Sequence, residues 1–194
     1  VFYSKLDWVE LRPLPLYFRP IRGMHSLVET WKPQLGPIAA LVDMGLPALR
    51  LAARGLVGLG VLRGAQLEEL DSFEGWADEL FQELSPQLGT CVIRDARFLN
   101  WRFVQSPAQY KRIGLRRDGR LCGFVVTRLF DWRGTRRAVV MELLTRKHDL
   151  DGARTLLAGA IIDACAEGCA LATAIVVPRN PFRQAYLESG FIPS

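Results

Sequence analysis

The chain has 194 residues, of which 49% are hydrophobic and 23% are charged, and its formal net charge is +5. This composition is typical of a globular protein that buries a sizeable core, and it excludes the disordered and fibrous classes. No apolar run reaches the roughly 18 residues of a membrane-spanning helix, so no transmembrane segment is predicted.

The first 66 residues are less regular than the rest. Residues 1–21 are strand-like but carry Pro13, Pro15 and Pro20, which predicts an edge strand or a linker. Residues 35–66 are strongly apolar, and they predict short connector helices that either cover a sheet or lie on a membrane surface. We expect residues 1–34 to end a preceding domain or to form a crossover linker, with the main domain at 67–194. An upstream domain is therefore expected in the full-length protein.

The main domain begins with helical periodicity. A first helix is predicted from one apolar face, and Ser85-Pro86 is expected to end it; the face consists of Trp76, Leu80, Phe81 and Leu84. A short strand is predicted at 91–93. A second helix or turn should hold Trp101 and Arg102, which either line an acceptor pocket or serve the core and the helix end.

Two antiparallel hairpins follow. Asp118-Gly119 is a two-residue turn signal that joins a strand at 110–115 to one at 121–130. A second turn at 131–134 leads into a strand at 138–144. Arginines surround both turns, and they either attract a polyanion or remain solvated and protect the sheet edges. Nucleic acid is not expected as the partner.

The C-terminal part predicts a parallel strand pair. A helix is predicted from Asp151 to Glu167, and a buried strand at 170–177 follows it. Asn180-Pro181 should then open a short helix that ends at Gly190. A helix between two parallel strands forms a right-handed crossover. The predicted fold is α/β: antiparallel hairpins, then a parallel strand pair with a crossover helix, in one mixed sheet flanked by helices.

This order, which ends in the sequence Tyr-Leu-Glu-Ser-Gly-Phe at 186–191, resembles the GNAT superfamily of N-acetyltransferases. The sequence Phe-Leu-Asn-Trp-Arg-Phe at 98–103, with Pro107 and Tyr110 after it, resembles a bacterial two-domain, FemAB-like subgroup. The resemblance covers residues 71–194 and implies a GNAT-like sheet. Because a further strand normally follows the final Gly-Phe, we expect a fragment that lacks its last strand.

The resemblance implies that acetyl-CoA or another acyl-CoA binds at the loop before the crossover helix. His148 and Ala153 then fall on the first and last positions of the family's loop, and Gly152, Ala153 and Arg154 offer donors and one cation. The loop departs from the pattern, because Asp149 and Asp151 place negative charge where phosphates should lie. Asp151 is alternatively the N-cap of the helix.

The resemblance also implies catalytic roles. A backbone N–H near Leu143 or Leu144 would polarise the thioester carbonyl, and Tyr186 would protonate the leaving thiolate. Glu142 interrupts an apolar strand and is either the base for an amine acceptor or a solvent-facing residue.

Two further residues have less specific assignments. His148 is a second candidate base by its intrinsic pKa. Asn180 either contacts the cofactor or caps the last helix. The four cysteines and two histidines include no Cys-x-x-Cys pair, so we expect no metal, and small buried thiols in a reducing cytoplasm.

Two classes of function remain open. The first is an acyltransferase that moves an acetyl or other acyl group from acyl-CoA to a small-molecule amine, with an aminoacyl-tRNA-dependent transferase as a variant. The second is a catalytically inactive GNAT-like domain that serves as the structural or partner-binding half of a two-domain protein. The missing glycines of the loop favour the second class.

Overall fold

The computed structural model describes residues 14–21, 64–88, 91–146 and 149–194. Its strands are β1 (Leu16–Pro20), β2 (Ala65–Glu69), β3 (Tyr110–Arg117), β4 (Arg120–Trp132), β5 (Thr135–Thr145), β6 (Leu171–Ile175) and β7 (Ile192–Pro193). Its helices are α1 (Gly75–Leu88), α2 (Ala96–Phe103), α3 (Leu150–Ala166) and α4 (Arg183–Glu188). The described strands form one sheet in the order β2-β3-β4-β5-β6-β1-β7. The predicted mixed α/β fold is confirmed.

The two hairpins have the predicted antiparallel pairing. Asp118 and Gly119 have φ angles of 49° and 77°, which is the conformation of a two-residue hairpin turn. The second turn is tighter than predicted. β4 reaches Trp132 and β5 begins at Thr135, so that only Arg133 and Gly134 form the turn, again with positive φ angles.

The predicted crossover is also confirmed. β5 and β6 pair in parallel, and α3 connects them. The predicted apolar stripe of α3 is buried against the sheet; it consists of Leu156, Leu157, Ala160, Ile161 and Ala164. Burial of a stripe of this kind supplies most of the stability of a helix on a sheet.

β1 is an internal strand, which corrects the expectation of an edge strand. It pairs antiparallel with β6 on one side and with β7 on the other. Pro15 precedes the strand and Pro20 ends it, so the residues between them keep the N–H groups that a ladder needs. Residues 22–63, which include most of the predicted connector helices, lie outside the described residues. The domain boundaries therefore stay a prediction.

α1 continues through Ser85-Pro86 to Leu88, so the predicted end of this helix is wrong. Pro86 has no N–H to donate to the carbonyl of Gln82, four residues earlier. The Ser85 hydroxyl donates to that carbonyl instead, at 3.2 Å. The Ser85 hydroxyl therefore supplies the hydrogen bond that Pro86 cannot make.

The segment before α2 is irregular, and the strand predicted at 91–93 is wrong. Val92 and Ile93 are exposed there. Asp95 then caps α2 by accepting a bond of 2.7 Å from the Phe98 N–H. Trp101 is 61% exposed and therefore is not a core residue. Within the described ranges, no helix is both long enough and apolar enough to cross a membrane.

Candidate functional site

The sheet divides where β5 and β6 part. Their parallel register runs from Arg137–Leu171 to Val140–Ala174 and then stops, although β5 continues to Thr145 beside β4. At the same point β4 pairs Val126 with Glu142 and Thr127 with Val140, which leaves Met141 as the extra residue of a bulge. A bulge bends a strand and increases its twist. The bulge therefore bends β5 near the point where its pairing with β6 ends, and β6 itself ends at Ile175. We call the unpaired region beyond Val140 and Ala174 the split.

Glu142 lies at this split. Its side chain is 15% exposed, and one carboxylate oxygen accepts a bond of 2.8 Å from Nε of Arg94. Burial raises the pKa of Glu142, while Arg94, Arg102 and the N–H of Leu143 oppose that rise by favouring the carboxylate. The alternative of a solvent-facing Glu142 is therefore wrong. A carboxyl group whose pKa is raised by burial, and lowered by nearby cations and an N–H donor, is a candidate base.

Tyr186 lies in α4 and is 4% exposed. Its ring packs edge to face on Phe191, with ring centroids 5.3 Å apart. Burial, and then the negative charge of Glu142, raise its pKa above the usual range. The phenol is thus neutral, with a proton to donate. Because its pKa lies above that of a thiol, it suits a hydrogen bond to a leaving sulfur better than complete proton transfer.

Leu143 and Leu144 also lie on the part of β5 that has left β6, and both are buried. The N–H of Leu143 is directed toward the Glu142 carboxylate. Three predicted residues therefore lie beside the split on β5, namely Glu142, Leu143 and Leu144. Tyr186 lies on α4, and the charge of Glu142 acts on it.

The start of α3 forms a second group, and its N-cap is Asp149 rather than Asp151. The side chain of Asp149 accepts a bond of 2.7 Å from the Gly152 N–H, and its carbonyl accepts one of 3.1 Å from Ala153. Asp149 also pairs with Nη1 of Arg117 at 2.8 Å. The donors predicted for a phosphate are thus already engaged by a residue of the chain.

Two of the remaining predicted residues, Arg154 and Asn180, bond to other residues of the chain. Arg154 pairs with Asp151 and with Glu188. The side chain of Asn180 accepts a bond of 2.8 Å from Phe182, so it closes the turn before α4, whose helical residues begin at Arg183. The third, His148, lies outside the described residues.

Most of the arginines around the hairpin turns have partners within the chain. Arg116 pairs with Glu68 at 2.6 Å, and Arg136 pairs with Glu167 at 3.4 Å. Arg133 and Arg137 both lie over the ring of Trp132. In the part of the chain that the structure describes, no group of three or more His, Cys, Asp and Glu residues could hold a metal ion.

Sequence reasoning missed the residues that complete both groups. Arg94 and Arg117 carry no motif, because their carboxylate partners lie far along the chain. Asp149 offered a signal, since an aspartate three residues before Gly152 can cap a helix as well as Asp151 can.

No protein-family model and no curated protein matches the chain. Among solved structures, a functionally unknown conserved protein from Staphylococcus epidermidis is similar with a TM-score of 0.50 and 10% identity, over 93% of this chain and 57% of that chain. An aminoglycoside acetyltransferase from an uncultured soil metagenomic sample has a TM-score of 0.49 and 9% identity, over 66% of this chain and 87% of its own.

A predicted acetyltransferase with acetyl-CoA from Clostridium acetobutylicum has a TM-score of 0.49 and 13% identity, over 67% of this chain and 91% of its own. At such identities the likeness concerns the fold, and the printed activities and ligands are those of the other proteins. The chain is a mixed-sheet α/β protein, and its fold is similar to that of the Staphylococcus epidermidis protein.

Proposed function

We propose that the chain is an acyltransferase that moves an acetyl or other acyl group from a thioester donor of the acyl-CoA type to a small-molecule amine. The observation that carries this proposal is the split between β5 and β6, where pairing stops at Val140 and Ala174. A split of this kind exposes strand backbone groups to which the amide groups of an extended pantetheine arm can bond.

The residues beside the split match the needs of acyl transfer. The amine nitrogen attacks the thioester carbonyl, so that a C–N bond forms and the C–S bond breaks. Glu142 takes the proton that the amine loses, directly or through a water. One backbone N–H of this part of β5, near Leu143 or Leu144, polarises the carbonyl oxygen as it gains charge. Tyr186 donates a hydrogen bond to the departing sulfur, which leaves as a thiolate.

An aminoacyl-tRNA donor is less well supported by the same geometry. Binding of a polynucleotide depends on cations that are available to phosphates. Arg116, Arg117 and Arg136 are already engaged by Glu68, Asp149 and Glu167. A thioester arm that enters the split needs no such cations.

A second candidate function is a catalytically inactive domain that binds a partner or supports another domain. The ion pair of Asp149 and Arg117 favours it, because this pair fills the start of α3 where an anion of a donor would otherwise bind. The two candidates differ in whether any acyl thioester binds at the split.

Calorimetric titration and a thiol-release assay test the proposal. Acetyl-CoA and acetyl-pantetheine are titrated into the full-length protein. Thiol release from each donor is then followed with a panel of amines. Binding near 1 µM, or about −8 kcal/mol, for either donor supports the proposal. Loss of turnover in Glu142→Gln, with binding retained, places the chemistry at the split. Absence of binding for both donors would leave the inactive domain as the better description.

A further inference from the structure

The space at the start of α3 is filled by the chain itself. A Cβ atom on Gly152 would lie 2.3 Å from Oδ2 of Asp149 and 2.9 Å from Cδ2 of Leu115. The carboxylate therefore lies directly over the glycine, in the space that the missing side chain leaves. The side chain of Asp149 is only 17% exposed, so this arrangement is part of the packed interior.

The carboxylate also has the bonding partners of a bound anion. It accepts from a backbone N–H at a helix N-terminus and from a guanidinium, through Gly152 and Arg117. Thr145 fixes the same residue by donating from its hydroxyl to the carbonyl of Asp149, at 3.1 Å. Asp149 thus supplies, from within the chain, the negative charge that this helix end favours.

Arg154, the next cation along α3, is also paired with carboxylates. Arg154 donates to Asp151 at 2.5 Å and to Glu188 on α4. A diphosphate at this end of the helix would have to displace Asp149 and would approach a second carboxylate, Asp151. Repulsion between like charges at such distances opposes binding.

We infer that Asp149 takes the place of a substrate diphosphate, so that the donor is a pantetheine thioester recognised through its pantetheine arm and without a diphosphate. This inference rests on the proposed acyl transfer at the split between β5 and β6. Asp149 is then the residue that decides donor specificity, because it removes the advantage that CoA would gain from its diphosphate.

The test is calorimetric titration of CoA, pantetheine and ADP into three proteins: wild type, Asp149→Ser and Asp151→Ser. Serine retains the N-cap at position 149 while removing the carboxylate, and it frees Arg117. Wild type should bind CoA and pantetheine with equal affinity. Asp149→Ser should bind CoA and ADP about tenfold more tightly, with pantetheine unchanged, which is a gain of about 1.4 kcal/mol. Asp151→Ser, which changes charge on the same helix turn, should show a much smaller gain.

Two results would overturn the inference. One is tenfold tighter binding of CoA than of pantetheine by wild type. The other is an Asp149→Ser protein that is folded, by its circular dichroism and melting temperature, yet gains no affinity for CoA or ADP. Failure of the proposed function looks different: pantetheine then binds none of the proteins, while ADP still binds more tightly to Asp149→Ser. Asp149→Asn, which keeps the size of the side chain, replaces the serine variant if that variant does not fold.

Discussion

Nε of Arg94 donates to a carboxylate oxygen of Glu142 at 2.8 Å, and this pair lies beside the part of β5 that no longer pairs with β6. Neither side chain is fully buried, with 24% of Arg94 and 15% of Glu142 exposed. The arginine therefore favours the ionised form of a largely buried carboxyl group, whose pKa burial raises, at the point where the sheet divides.

Arg94→Gln should move the acid limb of the pH profile of kcat/KM to higher pH. The base is active only when ionised, so the rate rises as pH increases through the pKa of Glu142. Burial raises that pKa and Arg94 opposes the rise, so removing Arg94 leaves burial less opposed. The profile is measured by thiol release between pH 4 and 9.

Two variants control this experiment. Arg146→Gln removes an exposed arginine that pairs with Glu83 on α1 at 3.2 Å, and its profile should match the wild type. Glu142→Gln should lose the acid limb, together with roughly 100-fold or more of kcat/KM. An Arg94→Gln profile that overlays the wild type would remove Glu142 as the titrating base.

Tyr186→Phe should lower kcat by about 10- to 100-fold and leave donor affinity nearly unchanged. The phenol is buried with a raised pKa, so it stays protonated and offers a hydrogen bond that matters only when the sulfur gains charge. Phenylalanine keeps the edge-to-face contact with Phe191. Single-turnover rates and calorimetric Kd values separate the two effects.

Tyr110→Phe is the matched control for this change. Tyr110 also packs edge to face on a phenylalanine, Phe103, with ring centroids 5.1 Å apart, but it begins β3. It should retain the wild-type kcat. Equal loss of activity in both variants would indicate a general effect of removing a phenol and would exclude a special role for Tyr186.

The sequence predicted the sheet well because its signals are local. Asp118-Gly119 indicates a hairpin, and the stripe of Leu156, Leu157 and Ala160 indicates the crossover helix. Neither signal depends on residues far along the chain. The placement of β1 between β6 and β7 could not be predicted in this way. It depends on pairing with a strand more than 150 positions away, as in the partners Leu16 and Ile175.

For a similar reason, only part of the candidate site could be proposed from the sequence. Glu142 and Tyr186 were recognisable as a charge in an apolar strand and as part of a helix ending. Their partners were not, because Arg94 and Arg117 acquire their roles only when the sheet forms. The assignment of the N-cap to Asp151 failed because Asp149 satisfies the same local rule and also finds Arg117.

Gly123→Ala should destabilise the fold by about 1–3 kcal/mol. A Cβ at this position on β4 would lie 2.9 Å from the carbonyl oxygen of Leu144 and 2.8 Å from Cγ2 of Thr145. The carbonyl belongs to the sheet, and the β-branched Thr145 is fully buried, so neither atom can move away easily. Urea unfolding of the two proteins measures the difference.

Gly75→Ala is the control, because no atom lies within 4 Å of a Cβ at this position, the first residue of α1. It should leave stability unchanged or raise it by less than about 1 kcal/mol. Equal stability of Gly123→Ala and wild type would mean that β4 and β5 can separate at low cost.

Asn100→Asp should lower stability by about 1–3 kcal/mol, because Asn100 joins α2 to the segment before α1 through both of its amide atoms. Its Oδ1 accepts from the Phe73 N–H at 2.9 Å, and its Nδ2 donates to the Phe73 carbonyl at 2.7 Å. Aspartate keeps the oxygen that accepts from the Phe73 N–H. Its second oxygen cannot donate, and it would lie against the Phe73 carbonyl and repel it. Arg97→Gln, an exposed change on the same helix, should stay within about 0.5 kcal/mol of wild type.

A measurement of kcat distinguishes this structural role of Asn100 from a catalytic role. If the residue acts only by holding α2 in place, Asn100→Asp should melt at a lower temperature but retain its kcat when assayed well below that temperature. An unchanged melting temperature with a reduced kcat would instead mean that Asn100 contacts the acceptor. In that case α2 would line the acceptor site through Asn100, in addition to supporting the segment that carries Arg94.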